Sequence, residues 1–342
     1  MRPGRETMRT DVVVSGARVL VTGASGFIGG HIARELRALG AVGASRSPQR
    51  DSSIQWVTPF DPTDLDATRL ALRGVDVVVH AGGRAHVMRE TTTDPLQAFR
   101  DANVAPTRTL AAAAAAEGVR RLILLSTVKV YRENEDVSEV IRPSTPLAPS
   151  SPYGISRMEA EEEARAIGAS SSLEVVALRL PMVYGAGMKG NAVRLFDLVH
   201  SGLPLPLGAI RNERSMVFVG NIVAAVRGLL RASVPPCSAY IAADGGTVST
   251  PNLIREIAET LHRPCRLVPL PLAMLRGVSV VGTSLLGSRF PLSADAYERL
   301  CGSLVVDGSD LERALGAPLP YSRIEGLRET AVWYLANRRR AQ

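Results

Sequence analysis

The stretch RVLVTGASGFIGGHIARELRALG, residues 18–40, decides the fold. It opens on the apolar run Val19-Leu20-Val21, which predicts a buried parallel strand. It ends in a helical pattern with Ile28, Ile32, Leu36 and Leu39 on one face. Between them stand Gly23, Gly26 and Gly29. Gly23 allows the tight turn out of the strand, Gly26 lets a pyrophosphate approach the backbone, and Gly29 lets the helix pack close to the sheet. The first-turn amides, at the positive end of the helix dipole, then face the phosphates. A glycine triplet alone marks many ordinary turns. Between a strand and an amphipathic helix it predicts a dinucleotide site.

Downstream, Ala41 to Arg46 predicts the second strand and its exit. An acid about 20 residues past the glycines would bind the adenosine ribose hydroxyls; Ser45 and Arg46 stand there instead, with Arg50 nearby. A guanidinium holds a 2′-phosphate in a forked geometry, so these residues favour NADP(H) over NAD(H). Ile54 to Val57 predicts a third strand, and Asp64 or Thr63 is available to cap the helix carrying Leu65 and Leu70. Val75 to His80 is a continuous apolar strand whose C-terminal end, Ala81-Gly82-Gly83, meets the cofactor; His80 itself is expected to be structural. A long helix follows over Pro95 to Glu117, with a six-alanine run from Ala111 and a kink or restart at Pro106. Arg121 to Ser126 and Glu174 to Leu180 complete the buried strands. Strands alternating with helices specify an α/β protein with a Rossmann-type, doubly wound parallel sheet.

With 342 residues, of which 46% are hydrophobic, the chain can bury a substantial core. The net charge of +7 is spread along it, and Arg338-Arg339-Arg340 fits a solvated helix end better than a nucleic-acid patch. Aromatics at 4% argue against stacking platforms, so no nucleic-acid partner is expected. Cys237, Cys265 and Cys301 lack metal-ligand spacing; they are expected to be buried thiols of a reducing compartment, in a cytoplasmic protein without a metal. Residues 1–16 have no signal-peptide core and predict a flexible, partly basic extension, with Met8 an equally good start. The apolar segment Leu267 to Leu286 is broken by Pro269, Pro271 and Arg276, so no transmembrane span is expected; peripheral membrane association is the lesser alternative.

Chemistry concentrates after the strand at 121–126. Ser126-Thr127-Val128-Lys129-Val130-Tyr131 ends it, and beyond a Pro/Ser-rich loop Tyr153-Gly154-Ile155-Ser156-Arg157 opens a helix. A phenol ordinarily keeps its proton to about pH 10. A cation at i+4 lies on the same helix face and favours the phenolate. Thr127 is placed to share a hydrogen bond with a substrate oxygen. This is the logic of carbonyl–alcohol interconversion by hydride transfer.

The G-x-x-G-x-x-G spacing resembles the short-chain dehydrogenase/reductase superfamily, and TGASGFIG resembles its extended, sugar-nucleotide-modifying branch. STVKVY followed by Tyr-x-x-x-Arg resembles that superfamily's Tyr-x-x-x-Lys site, with Arg157 in place of lysine. The sequence HAGG at His80 stands where the related pattern is His-Leu-Ala-Ala. The resemblance implies catalytic roles for Thr127, Tyr153 and Arg157. It implies cofactor contacts from Gly23, Ser25, Gly26, Phe27, Ile28, Gly29, Ala81, Gly82, Asn103, Tyr153, Arg157 and Pro181, with Asp61 on the adenine amino group and Arg46 at the ribose. RLPMVYG at Arg179 and RSMVFV at Arg214 are further marks of the branch. There the resemblance makes Arg84, Asn191, Arg214 and Arg299 substrate-binding residues, the last two as diphosphate clamps. Where the branch often has paired acids, this chain has Gly220-Asn221.

RAHVM at 84–88, STVKVY and RLPMVYGAGMKGN narrow the resemblance to a bacterial group of UDP-glucose 4-epimerase-like proteins. That group includes reductases of 4-keto-6-deoxy amino sugars used in surface polysaccharides. The expected organisation is a cofactor domain at 17–180, with 217–243 returning to it, and a smaller, mainly helical C-terminal substrate lobe from 181–216 and 244–335. The expected reaction is NAD(P)-dependent oxidoreduction at C4 of a UDP-hexose. A 4-ketoreductase is favoured because NADPH supplies net reducing drive; a UDP-hexose 4-epimerase is the alternative. Arg157 and HAGG motivate a second alternative, a non-catalytic NAD(P)-binding regulator. By the same resemblance two copies would pair as a homodimer through the helices at about 95–117 and 152–168.

Overall fold

The computed structural model describes residues 18–85, 92–132, 139–286 and 294–341; the extension at 1–16 and His86 to Met88 of RAHVM lie outside them. The chain runs through β1 (Val19–Thr22), α1 (Phe27–Glu35), β2 (Ala41–Ala44), β3 (Gln55–Val57), α2 (Leu65–Leu72) and β4 (Val77–His80). It continues with α3 (Pro95–Ala116), β5 (Arg121–Thr127), β6 (Val140–Ile141), α4 (Pro152–Ala169), β7 (Glu174–Leu180), β8 (Met182–Tyr184) and α5 (Asn191–His200). Then come β9 (Met216–Phe218), α6 (Val219–Leu229), β10 (Ser238–Ile241), α7 (Thr250–Thr260) and α8 (Leu272–Leu286). The last elements are α9 (Ala294–Cys301), β11 (Val305–Val306), α10 (Ser309–Leu315) and α11 (Arg323–Ala341).

Seven strands form one parallel sheet in the order β10-β7-β5-β4-β1-β2-β3. The chain builds outward from β1 to β3, then crosses to β4 on the other side. This reversal opens a crevice at the C-terminal ends of β1 and β4. The strands are near-continuous apolar runs because helices cover both faces. On one face Val19, Val21, Val77, Val79 and Ile123 pack with Ile32, Leu36, Ile222 and Val226. On the other, Leu20, Val78, Leu122 and Leu124 meet Leu110, Ala111, Ala113 and Ala114 of α3. A third cluster, with Phe196, Leu205, Met216, Ile254, Ile257, Leu327 and Tyr334, gathers the helices that follow β7.

Three local expectations change. The first helix stops at Glu35, and Leu39 falls in a separate 3-10 turn closed by left-handed Gly40. α3 runs through Pro106 as one helix rather than restarting there, with the ring buried. None of the cysteines is buried: Cys265 is exposed, while Cys237 and Cys301 are half-buried at element ends. In addition, Leu311 of α10 packs in the core of the sheet, with Ala314, Leu315 and Leu319 against it, within a segment (244–335) expected in the substrate lobe.

A buried ion pair fixes α4 on the sheet. Arg179 of β7 donates through Nε and Nη2 to Glu161 of α4 at 3.1 and 2.6 Å, and both side chains are essentially inaccessible. Arg165 adds a third donor to the carboxylate at 3.3 Å. Arg179 Nη1 donates to the Tyr131 hydroxyl and to the Pro143 carbonyl. Removing one partner of such a pair leaves a desolvated charge. Glu161→Gln should therefore cost about 3–5 kcal/mol of unfolding free energy, read by urea denaturation; a loss below about 1 kcal/mol would show that the pair is not a fixed point of the fold.

Candidate active site

The β1–α1 turn is a cradle only glycine fits. Gly23 has φ +68°, and a Cβ there would stand 2.6 Å from the Ala81 carbonyl carbon and the Gly82 nitrogen. A Cβ at Gly29 would strike the Gly23 carbonyl oxygen. Gly26 is the N-cap of α1 and brings no side chain to the first-turn amides, which suits them to phosphate oxygens. Ser25 and Gly26 are exposed; Phe27 and Ile28 are half-buried. Phe27 packs edge-on against His31 at 5.7 Å, and His31 Nε2 donates to the Ala186 carbonyl at 2.7 Å. That bond ties the cofactor helix to the loop leading into α5. Burial pushes the His31 pKa down.

At the adenosine end, Arg46 is exposed and Ser45 is buried, its hydroxyl donating to Ser47 O and accepting from Gln49, each at 2.9 Å. Asp61 accepts from the Thr63 amide and hydroxyl at 3.0 and 2.8 Å. These bonds, with a smaller contribution from Arg46, hold its carboxyl below the usual range. Asp64 is the residue that caps α2, accepting from the Ala67 amide at 3.0 Å.

Under the crevice runs a chain of neutral hydrogen bonds. Thr107 donates to the Asn103 carbonyl at 2.6 Å, so its oxygen accepts from His80 Nε2 at 3.1 Å. His80 Nδ1 is then bare and accepts from the Thr22 hydroxyl at 2.6 Å. Complete burial, followed by the nearby Arg157 charge, lowers the His80 pKa to about 3. His80 joins β1, β4 and α3 as a neutral strut.

The N-terminus of α4, which carries Tyr153, packs on the turn that follows Thr127. Ser151 caps the helix, and Gly154 lies against the Lys129 carbonyl so closely that a Cβ would collide with it. Lys129 follows Thr127, whose hydroxyl accepts from the Lys129 amide at 3.2 Å. Tyr153 is half-buried beside Phe99, ring centroids 5.9 Å apart, and the Arg84 guanidinium covers Phe99 at 5.0 Å. Phe99 escaped the sequence reading because one aromatic in a helical pattern carries no signal. Ser126 also escaped it; its buried hydroxyl has no partner among the described residues.

Arg157 is 4% exposed; it donates through Nη2 to the Leu125 carbonyl, and its Nε is unpartnered among the described residues. Asn103 is a clamp: its Oδ1 accepts from the Arg84 amide at 2.7 Å, and its Nδ2 donates to Ser156 Oγ at 2.9 Å. Gly83, at φ +141°, explains the HAGG departure. A Cβ there would lie 2.7 Å from Asn103 Oδ1 and 3.1 Å from Arg157 Nη1. The glycine leaves the room that a guanidinium requires in place of an ammonium.

On the substrate side, Pro181 is buried directly after β7. Asn191 is the first residue of α5 and Arg299 lies in α9, and both side chains fall outside the described set. Arg214 Nη1 donates to the Gly302 carbonyl at 2.9 Å, at the end of α9, so Arg214 and the helix bearing Arg299 are brought together. Asn212 fixes this corner through the Leu300 and Gly302 carbonyls and the Thr250 amide. Asn221 stands in for the second of the paired acids because its Nδ2 donates to buried Asp244 at 2.7 Å. A carboxylate at 221 would face another carboxylate.

The NAD dependent epimerase/dehydratase family model matches residues 19–240. The chain is 34% identical over 326 residues to a UDP-glucose 4-epimerase of Vibrio cholerae, covering 94% of this chain and 97% of that one. It is 27% identical to the N-acetyl-alpha-D-glucosaminyl-diphospho-ditrans,octacis-undecaprenol 4-epimerase of Escherichia coli, over 91% and 93% of the two chains. Among solved structures, MoeE5 in complex with UDP-glucose and NAD shares 25% identity and a TM-score of 0.73, over 95% of this chain and 100% of the other.

These findings correct the expected preference for NADP(H). The solved relative carries NAD. The Ser45 hydroxyl is engaged within its own loop, donating to Ser47 O and accepting from Gln49, so it is already committed where a 2′-phosphate would need a donor.

Two outcomes test this geometry. Between about pH 6.5 and 5 the unfolded chain takes up a proton that buried His80 does not, so acidification lowers stability by up to about 1.4 kcal/mol per pH unit. Melting temperature should fall less steeply over that range in His80→Gln; it should not become flat, because His31 and His200 are also lowered. An unchanged slope would place the acid sensitivity elsewhere. Gly83→Ala should harm turnover and melting temperature more in the Arg157 background than beside Arg157→Lys, with a coupling of about 0.5–3 kcal/mol. Strict additivity would separate the two positions.

Proposed function

Because the chain belongs to the NAD dependent epimerase/dehydratase family, we propose that it interconverts the C4 epimers of a UDP-linked hexose with a retained NAD. The observation that carries this reading is the placement of Tyr153, Thr127 and Arg157 at the same sheet edge as the glycine cradle. The cradle that a Cβ would fill, the bare first turn of α1 and the unpartnered Ser126 and Arg157 atoms fit a dinucleotide.

Bound NAD would supply a hydride acceptor at C4 and return the hydride to the opposite face of the 4-keto sugar. Tyr153 takes the proton from the O4 hydroxyl as the hydride leaves C4, and gives it back when the carbonyl is reduced. Thr127 donates a hydrogen bond to O4 and steadies it through both half-reactions. Arg157 holds its charge one helical turn from the phenol and positions the nicotinamide ribose. Arg84 over Phe99 shapes the wall beside Tyr153. Arg214, with Arg299 in α9, is the candidate clamp for the diphosphate.

Epimerisation is redox-neutral and needs no external reductant. The case for a 4-ketoreductase leaned on NADPH, and without that preference the epimerase is favoured. The Vibrio cholerae relative, a UDP-glucose 4-epimerase, and MoeE5, solved with UDP-glucose and NAD, support the same reading.

Purified protein supplied with UDP-glucose or UDP-N-acetylglucosamine and NAD should form the C4 epimer without added reductant. Tyr153→Phe should lower kcat by about 10²–10⁴ while keeping NAD affinity, as expected for loss of a proton relay. Turnover only of a 4-keto sugar with an added reduced cofactor would replace the epimerase by a reductase. Unaltered kcat in Tyr153→Phe would overturn the mechanism.

A further inference from the structure

One flank of α8 has no apolar cover among the described residues. Its inward stripe is narrow: Leu275 and Ser279 are buried, one helical turn apart. Along the flank of that stripe Met274, Val278 and Val281 recur at helical spacing, each about half exposed or more, and Val268, Leu272 and Val280 are exposed as well. Such a concentration of exposed apolar side chains marks an interaction surface.

Charge says what covers it. Between Glu259 and Asp295 the chain holds no acidic residue, while His262, Arg263, Arg266, Arg276 and Arg289 lie in that interval. Arg263, Arg266 and Arg276 are exposed. An apolar face whose own segment carries exposed arginines and no acid complements an anionic lipid surface, the acids Asp295 and Glu298 of neighbouring α9 standing beyond it. The apolar side chains enter the headgroup boundary, and each arginine adds about 1 kcal/mol near anionic lipid. No described helix is long and apolar enough to cross a membrane, so α8 would lie in the interfacial plane.

We propose that α8 and the basic segment before it form a docking surface for an anionic phospholipid bilayer. α8 packs on α9, and the end of α9 receives the Arg214 hydrogen bond at Gly302. Docking would therefore bring the candidate diphosphate corner close to the membrane surface. The proposal does not depend on the reaction assigned above.

The test is sedimentation of the full chain with vesicles of phosphatidylglycerol and phosphatidylcholine, against phosphatidylcholine alone. Binding should require the anionic lipid and weaken about tenfold or more in about 0.5 M salt. Val278→Asp with Val281→Asp alters exposed positions only, so melting temperature and epimerisation of a water-soluble UDP-hexose should stay as in wild type. Vesicle binding should fall at least about tenfold. Equal sedimentation with both vesicle types, or undiminished binding by the variant, overturns the proposal. So does a wild-type dimer that the variant dissolves while neither protein binds vesicles, since a second copy would then cover the face.

Discussion

The buried contact between Arg179 and Glu161 is the constraint on which the site depends. Taking two charges out of water is costly, and their attraction offsets the cost only when the remaining donors and acceptors are filled. Here they are filled: Glu161 also receives Arg165, and Arg179 spends its last nitrogen on Tyr131 and the Pro143 carbonyl. The guanidinium also covers the Tyr131 ring at 4.9 Å. One side chain thus binds the end of β7, the middle of α4 and the segment after β5. Those elements carry Tyr153, Arg157 and Thr127, so the ion pair sets the register in which the three meet.

The second support is neutral. Thr22, His80, Thr107 and Asn103 pass hydrogen bonds from β1 through β4 to α3. Asn103 then holds the Arg84 segment and Ser156 of α4. The alanines of α3 let the helix lie close on the sheet, and that closeness is what brings Thr107 within reach of His80. A charged histidine would have no compensation there. The device recurs around β8 and β9: Asp244 accepts from the Phe218 amide, Tyr184 and Asn221, and burial raises its pKa despite those bonds.

Departures from the resembled pattern make sense as compensated pairs. Gly83 accompanies Arg157, and Asn221 accompanies Asp244. In each case one residue supplies the room or the donor that the other needs. A single position looks like a defect only when its partner, far away in sequence, is out of view.

The sequence by itself determined six of the seven strands of the main sheet, the glycine turn, the parallel α/β class and the order of the chemical motifs, while β10 and the four short strands outside that sheet carried no pattern. These depend on periodicity and local backbone freedom, which neighbouring residues express directly: Val19 to Val21, Gly23 and the alanine run of α3 are examples. The tertiary structure alone decided where side chains spend their hydrogen bonds. Asn103 joins the Arg84 segment to Ser156; Arg157 turns to the Leu125 carbonyl; Cys265 is exposed; Leu311 packs in the sheet core. It also decided that Met274, Val278 and Val281 of α8 are exposed among the described residues. Such outcomes rest on contacts between residues tens to hundreds of positions apart, and no local pattern encodes which distant partner arrives.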